Sequence, residues 1–297
     1  LSALAAANGN PPGDFTTFES GQTRPLALAA DGQRLYAVNT PDNRVEIFNV
    51  GAAGLRRAHS IPVGLEPVAV AERDGWVWVV NHLSDSVSVI DARAGTPRLV
   101  ATLQVGDEPR DIVFAGTGRG RAFITTAHRG QNSPYIHPDN PGELTTPGIG
   151  RADVWVFDAE AAQTRATRAP LTIVKLFTDT PRALETSPDG SLVYAAGFHT
   201  GNQSTVIHED AVCNGGASAR PCLVDRGIAP GGVPGPNSAG GGRGPETGLI
   251  VKYDGQAWRD PVGRSWNGQV RFNLPDTDVF AIDALAVTPR VIQSWAH

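Results

Sequence analysis

The sequence RPLALAADGQRLYAVNTPDNRVEIFNV, residues 24–50, recurs 42 residues later as EPVAVAERDGWVWVVNHLSDSVSVIDA, residues 66–92. Each copy has an opening proline, an Asp-Gly pair, a β-rich run that ends in asparagine, and a second β-rich run. Pro25, Pro67 and Pro109 keep the same spacing. A fixed period of about 40–45 residues with several short strands per unit is typical of propeller blades. The sequence therefore predicts an all-β fold, a β-propeller of four-stranded blades.

Two looser copies follow. The third begins at Pro109 and contains FITTAH (123–128) and DVWVFDA (153–159). The fourth begins at Pro181 and contains SPDGSLVYAAG (187–197). About four blades plus partial ones are therefore expected in this chain.

The sequence pattern of the repeat resembles that of the YVTN family of bacterial β-propellers. YAVN (36–39) and WVVN (78–81), followed by VEIFN (45–49) and VSVID (87–91), match two blades of that family. The resemblance covers most of residues 22–283, and it implies a propeller that usually has seven blades. It implies no particular chemistry, because unrelated functions occur on one fold.

The domain organisation follows from the repeats. Residues 1–14 are small, polar and proline-containing, so we interpret them as a flexible lead-in. Residues 15–297 form the propeller, an incomplete ring with long insertions at about 129–151 and 208–247. FTTFE (15–19) resembles the outermost strand of a blade whose other strands come from elsewhere.

The end of the chain is expected to leave the ring unfinished. We expect GLIVKYDG (248–255) and QVRFNLP (269–275) to complete the fourth blade, and DTDVFAIDA (276–284) to open a fifth. A missing C-terminal continuation or another polypeptide would then complete a ring of about seven blades.

Composition narrows the function classes. The net charge of −5 and the pI near 5.8 argue against nucleic-acid binding, which needs clustered Lys and Arg. No run of 18 apolar residues is present, so no membrane span is expected. The chain has no methionine and starts at Leu1, which favours removal of a secretory signal over trimming. A composition rich in Ala, Arg and Gly favours a bacterial source.

The two cysteines predict a local disulfide. Cys213 and Cys222 lie close together in a Gly/Pro-rich segment, and the chain has no CxxC motif. Such a bridge forms in oxidising compartments, so the protein is expected to be extracytoplasmic: periplasmic, secreted or at the cell surface. Two free thiols in a cytoplasmic protein are the alternative.

Three histidines follow the second strand of successive blades: His82, His128 and His199. They are expected on one face of the propeller, where imidazoles can bind a transition metal or a haem from a partner domain. Equivalent positions on adjacent blades lie roughly 10 Å apart, which is too far for one ion without help from the loops. Solvent-exposed or hydrogen-bonded histidines are the alternative.

Arg110 and Arg182 each follow a blade-opening proline. On innermost strands they would line the channel and offer guanidinium groups to an anion. The alternative is an inter-blade salt bridge with Glu108, Asp111 or Glu185.

A calcium site is a further hypothesis for Asp276, Asp278 and Asp283, which supply three carboxylates within eight residues. Their spacing does not match the EF-hand loop, and Asp283 repeats the ordinary blade Asp91. Structural strand residues are the alternative.

No catalytic residue is predicted. The chain has no GxSxG elbow, HExxH, P-loop or dinucleotide-binding motif. The sequence favours an extracytoplasmic scaffold that binds a protein or another ligand. The alternative is the propeller portion of a metal- or haem-dependent oxidoreductase, and a lactonase has no support from individual residues.

Overall fold

The computed structural model describes residues 21–93, 95–134, 152–213, 223–224, 227–228, 249–261, 263–270 and 276–296. The lead-in 1–14, the strand expected at 15–19 and most of both insertions lie outside these ranges. Four antiparallel four-stranded sheets form the body of the molecule, as the repeats predict.

The first sheet is made of β1 (Leu26–Leu28), β2 (Arg34–Asn39), β3 (Arg44–Gly51) and β4 (Gly54–Pro62), hydrogen-bonded in that order. Its side chains alternate between the two faces, as expected for strands. One face is buried against the second sheet and the other is partly exposed.

The second sheet contains β5 (Pro67–Arg73), β6 (Trp76–Asn81), β7 (Ser86–Asp91) and β8 (Arg98–Gln104). A two-residue turn, Asp74-Gly75, joins its first two strands. Both residues have positive φ, 52° and 78°, as a hairpin turn matched to the strand twist requires. In the first and fourth blades the glycine of the pair, Gly32 or Gly190, also has a positive φ, 70° or 73°, so the glycine is the part of the pair that all three turns require.

The third sheet contains β9 (Asp107–Ala115), β10 (Arg121–His128), β11 (Ala152–Asp158) and β12 (Thr172–Leu176). A short 3-10 turn precedes its second strand. Helix α1 (Ala159–Gln163) follows β11, and the Asp158 carboxylate caps it by accepting from the Ala161 N–H at 2.8 Å.

The fourth sheet opens with β13 (Pro181–Thr186) and β14 (Leu192–Gly197) and is then interrupted. The segment that follows contains short elements outside the sheet: β15 (Ser204–Ile207), helix α2 (Glu209–Val212), β16 (Leu223–Val224), β17 (Gly227–Ile228), β18 (Leu249–Tyr253) and β19 (Trp258–Arg259). Strands β15, β18 and β19 form a separate three-stranded sheet, called here the insertion sheet.

The outer half of the fourth sheet differs from the expectation. Its third and fourth strands are β20 (Val279–Asp283) and β21 (Arg290–Trp295), so 248–255 and 269–275 do not complete this blade and 276–284 does not open a fifth. Phe280 and Ile282 are buried against the third sheet, as a third blade strand requires. Strand β18 buries alternate residues only, which suits a peripheral sheet.

Three hydrophobic cores join the four blades in a row. One lies between the first and second sheets, one between the second and third, and one between the third and fourth. The innermost strands β1, β5, β9 and β13 contact one another in succession, as they do around a propeller axis. Among the described residues no helix is long and apolar enough to cross a bilayer.

Candidate functional site

The end of the blades where β2, β6, β10 and β14 terminate is called here the loop face. Both long connections start there, because β10 and β14 run toward this face and their partners β11 and β20 return from it. The three predicted histidines also lie at these strand ends. His128 and His199 lie near one another in the structure, whereas His82 lies apart from them.

His128 and His199 converge on one carboxylate. His128 Nε2 lies 3.6 Å and His199 Nδ1 lies 3.7 Å from Asp179 Oδ1. His128 Nδ1 is also 3.9 Å from Asp107 Oδ2, and His199 Nδ1 is 3.2 Å from Thr180 Oγ1. Both imidazoles are about half exposed or more. This group, on the connection between the third and fourth blades, is accessible to a ligand.

His82 does not join this group. It is buried, with 2% of its surface exposed, and its Nε2 lies 3.0 Å from Arg110 Nη2. A guanidinium only donates hydrogen bonds, so Nε2 accepts and the ring proton resides on Nδ1. The neighbouring positive charge opposes a metal ion at Nε2.

An internal ion pair joins the residue directly after β10 to β11. Arg129 Nε and Asp153 Oδ2 are 3.6 Å apart, and both side chains are fully buried. Burial of two charges costs desolvation energy, which such a pair recovers only with further hydrogen bonds. No local sequence pattern distinguishes this arginine, because its partner follows 24 residues later, across the insertion.

A second ion pair spans the propeller axis. Asp111 Oδ1 accepts from Arg24 Nε at 2.9 Å, and Asp111 Oδ2 accepts from the Leu184 N–H at 2.8 Å. Arg24 Nη2 also donates to the Leu184 carbonyl at 2.9 Å. One salt bridge thus connects the first, third and fourth blades. Burial raises the pKa of Asp111, although the Arg24 hydrogen bond and charge oppose this.

The arginines predicted to line the channel lie elsewhere. A cavity of about 300 Å³ at the axis is lined by all four innermost strands, with Glu72, Arg73, Arg119 and Glu185 among its charged residues.

The two predicted arginines have other contacts. Arg110 contacts His82. The Arg182 guanidinium lies 4.5 Å from the Phe198 ring centre and donates to the Gly21 carbonyl at 3.2 Å. The expected partner of Arg110, Asp111, pairs with Arg24, which the sequence did not single out.

Two of the three aspartates of the calcium hypothesis, Asp276 and Asp283, have separate surroundings. Asp283 Oδ1 accepts from the N–H groups of Leu285 and Ala286, at 2.9 and 3.0 Å, and so stabilises the turn after β20. Asp276 lines a cleft beside the insertion sheet. Within the described ranges, no group of three or more His, Cys, Asp or Glu side chains has a geometry that could hold a metal ion.

The predicted disulfide lies partly outside the described residues. Cys213 is buried in the core of the insertion, with 3% of its surface exposed, whereas Cys222 is outside the described ranges. The bridge therefore stays a prediction.

No protein-family model matches the chain, and no curated protein matches it in sequence. Similar solved structures include hydrazine synthase of Kuenenia stuttgartiensis, with 19% identity over 65% of this chain and a TM-score of 0.47. The periplasmic gluconolactonase of Pseudomonas aeruginosa has 16% identity over 62% and a TM-score of 0.44. A putative 6-phosphogluconolactonase from Bacteroides uniformis has 13% identity over 61% and a TM-score of 0.43.

This chain spans about half the length of those proteins: 48%, 48% and 52%, respectively. TM-scores of 0.43 to 0.47 are too low to support an argument, so the fold is concluded from the four antiparallel four-stranded sheets and the cores between them. The chain has a β-propeller-type fold of four-stranded blades.

Proposed function

We propose that this chain is the YVTN-type propeller portion of a larger extracytoplasmic protein and that it binds a protein or another ligand on the loop face. The observation that supports this most is the insertion sheet, which adds a folded unit to that one face. Loops longer than about 12–15 residues in a compact domain are usually functional or disordered, and this one has a core.

The insertion has its own packing. Its buried residues form a separate hydrophobic cluster that includes Val251, Trp258 and Trp266. Asp260 is buried, with 5% of its surface exposed, and its carboxylate accepts from Trp266 Nε1 at 3.1 Å. Burial would raise the pKa of Asp260, but hydrogen bonds from Trp266 and Arg264 lower it overall. A carboxylate held in this way stabilises a defined surface, and a defined surface favours binding.

The two ends of the blade row support the proposal of a larger protein. Leu28 on the first blade is 57% exposed, and Tyr194 and Val279 are half-buried on the far side of the fourth. In the two inner blades the equivalent faces are covered by neighbouring sheets. We propose that further blades, from the same polypeptide or another one, pack on these two faces.

Binding at the loop face is tested with the immobilised full-length chain and the extracytoplasmic fraction of its host. Ile250, 65% exposed on β18, is changed to aspartate, and Leu285, 52% exposed on the turn at the opposite end of the fourth blade, is the matched control. We expect Ile250→Asp to lose a partner that the wild type and Leu285→Asp both retain. Equal recovery by all three proteins would contradict the proposal.

The compartment is tested separately by alkylation of the natively purified protein after it has been unfolded in urea without reductant, which exposes the buried Cys213. We expect neither Cys213 nor Cys222 to react, because a disulfide persists in an oxidising compartment. Alkylation of both thiols would contradict the disulfide and remove its support for an extracytoplasmic location.

A metal- or haem-dependent oxidoreductase is the second candidate; it rests on two exposed imidazoles, His128 and His199, that lie near one carboxylate, and it needs a further ligand from a cofactor or a partner because the described residues alone do not form a metal site. Elemental analysis of the natively purified protein for iron, copper, zinc and calcium tests it. A near-stoichiometric transition metal that is lost in His128→Ala/His199→Ala would support it, and a metal that persists in that variant would contradict a site at these histidines.

A further inference from the structure

The insertion sheet has one face toward its own core and one toward solvent. Ile207, Leu249 and Val251 are buried, whereas Val206 and Ile250 are 50% and 65% exposed. Side chains alternate along a strand, so the two exposed residues lie on the outer face. They are direct partners in the register of β15 and β18. The outer face therefore presents an apolar pair to solvent.

Strand β15 is also an edge of this sheet. Among the described residues the strand order is β15, β18 and β19, and no other strand pairs with β15. The Tyr253 N–H donates to the Gln203 carbonyl at 2.7 Å, so this carbonyl points toward β18. Main-chain groups alternate in direction along a strand, so the Ser204 carbonyl and the N–H and carbonyl of Val206 point away from β18. An edge of this kind is a template for a further strand.

Lys252 gives the outer face its charge. It is exposed, follows Ile250 by two residues and is the register partner of Ser204. The neighbouring Arg259 is paired with Asp254 at 2.7 Å, but Lys252 has no such carboxylate partner within the described part of the chain. Because Ser204 is small, the lysine side chain can extend over it toward a strand on the far side of β15, about 10 Å from β18. An acidic side chain on that strand would complement the ammonium group.

We propose that β15 binds an extended segment of a partner protein as an added strand. The segment carries a large apolar residue opposite Val206 and an acidic residue two positions away, beside Ser204 and Lys252. In this mode of recognition main-chain hydrogen bonds supply affinity, and alternate side chains supply specificity. The apolar residue would extend the cross-strand row of Ile250 and Val206. The inference rests on the proposed function of the loop face and specifies the chemistry of its partner.

Fluorescence anisotropy of the full-length chain with a labelled peptide, Thr-Glu-Thr-Val-Thr-Glu-Thr, tests the proposal. This peptide offers valine and a glutamate to the edge in either chain direction. We expect it to bind with a dissociation constant below about 1 mM, and about tenfold more tightly than the peptide with lysine in place of both glutamates. No binding, or equal binding of the two peptides, would overturn the proposal.

Two N-methylated forms of the peptide test strand addition directly. One is methylated at valine and both glutamates, and the other at the threonines. Only one of these two sets of N–H groups can face the edge, because main-chain groups alternate along a strand. We expect one form to bind like the parent peptide and the other to lose binding. Binding of both forms, or of neither, would overturn the proposal.

Variants locate the binding. Val206→Pro removes an outward N–H, and proline is tolerated on an edge strand where the N–H faces solvent. We expect it to weaken peptide binding about tenfold or more. Lys252→Glu should reverse the preference between the glutamate and lysine peptides. Arg98→Glu makes the same change of charge at an exposed position on β8 and should leave both affinities unchanged. An unchanged preference in Lys252→Glu, with the fold intact by circular dichroism, would overturn the proposal.

The outcomes distinguish strand addition from loop-face binding in general. Loss of a partner in Ile250→Asp without any peptide binding would leave the proposed function in place and overturn strand addition. Equal recovery of proteins by the wild type and Ile250→Asp would contradict the proposed function, whatever the peptide result.

Discussion

The two inner blades and the two terminal blades share one sequence pattern but differ in how they are buried. Every residue of β6 and β7 in the second blade is buried, whereas β2 and β3 in the first blade alternate between buried and partly exposed positions. Strand β21 in the fourth blade is exposed along most of its length. A blade therefore supplies only half of each core, and its place in the row decides how much of it is covered.

The largest effect is expected at Asp111, where an inner blade meets both terminal blades. Asp111→Ala removes the acceptor of Arg24 Nε and of the N–H groups of Ile112 and Leu184. Loss of a buried partner of this kind costs about 3 kcal/mol or more in the free energy of unfolding. Urea unfolding measures it. Asp31→Ala, an exposed carboxylate in the first blade, is the control, and an equal loss in both would show that the axial pair does not join the blades.

Equivalent residues 42 positions apart sharpen the comparison. Ile90 is fully buried on the inner second blade, whereas Phe48 is only half-buried on the uncovered side of the first. Ile90→Ala should cost about 2–5 kcal/mol. Phe48→Ala removes more atoms but should cost less than half as much, because no blade in the described part of the chain covers it. A larger loss in Phe48→Ala would show that this face is already packed in the isolated chain.

Hydrogen exchange compares the blades without mutation. Amides of β6 and β7 should exchange only through global unfolding, because these strands are buried on both sides. Amides of β21 should exchange through local opening at lower free energy, since Ile292 and Trp295 are exposed. Mass spectrometry of peptic fragments measures both. Equal protection in the two regions would mean that the fourth blade is covered in solution.

The smallest expected effect is on how stability depends on pH in acid. The Asp189 carboxylate, in the first turn of the fourth blade, accepts from the Ser187 and Ser191 hydroxyls at 2.6 and 2.8 Å and from the Ser191 N–H at 3.0 Å. These bonds lower its pKa to about 2. A lowered pKa gives stability that is present above about pH 4 and is lost as the pH falls toward 2.

NMR titration of the Asp189 side-chain carboxyl carbon measures this pKa, and we expect Ser187→Ala to raise it. Asp189→Asn should make unfolding less dependent on pH between 4 and 2. A pKa of about 4 in the wild type would contradict the hydrogen-bond assignment.

The body of the fold was predictable because blade formation is local and repeated. The strands of the first two blades lie where the 42-residue period predicts them, and β5 starts at the predicted Pro67. In the fourth blade, β13 starts at the predicted Pro181. The outer half of the fourth blade was assigned incorrectly. Residues 248–255 have a strand-like pattern, but periodicity alone does not reveal which sheet a strand joins.

The candidate site was predicted in part. Placing His128 and His199 at equivalent strand ends indicated a common face, and the structure brings them to one carboxylate. Asp179 was not predicted, although it precedes Pro181 by two residues as Asp107 precedes Pro109, because the sequence does not show that this connection meets two imidazoles from different blades. The sequence also did not show that Arg110 donates a hydrogen bond to His82 Nε2, since that contact joins two different blades.

The repeat period, the turn chemistry and the alternation of apolar residues in the sequence determined the blades, because each depends on residues close together in the chain. Only the tertiary structure decided which charges meet at the axis, which imidazoles meet at Asp179 and which strands complete the fourth blade. Those arrangements join residues from different blades. Arg24 and Asp111 are 87 positions apart in the chain, and Arg24 and Leu184 are 160 apart, so no local pattern can specify them.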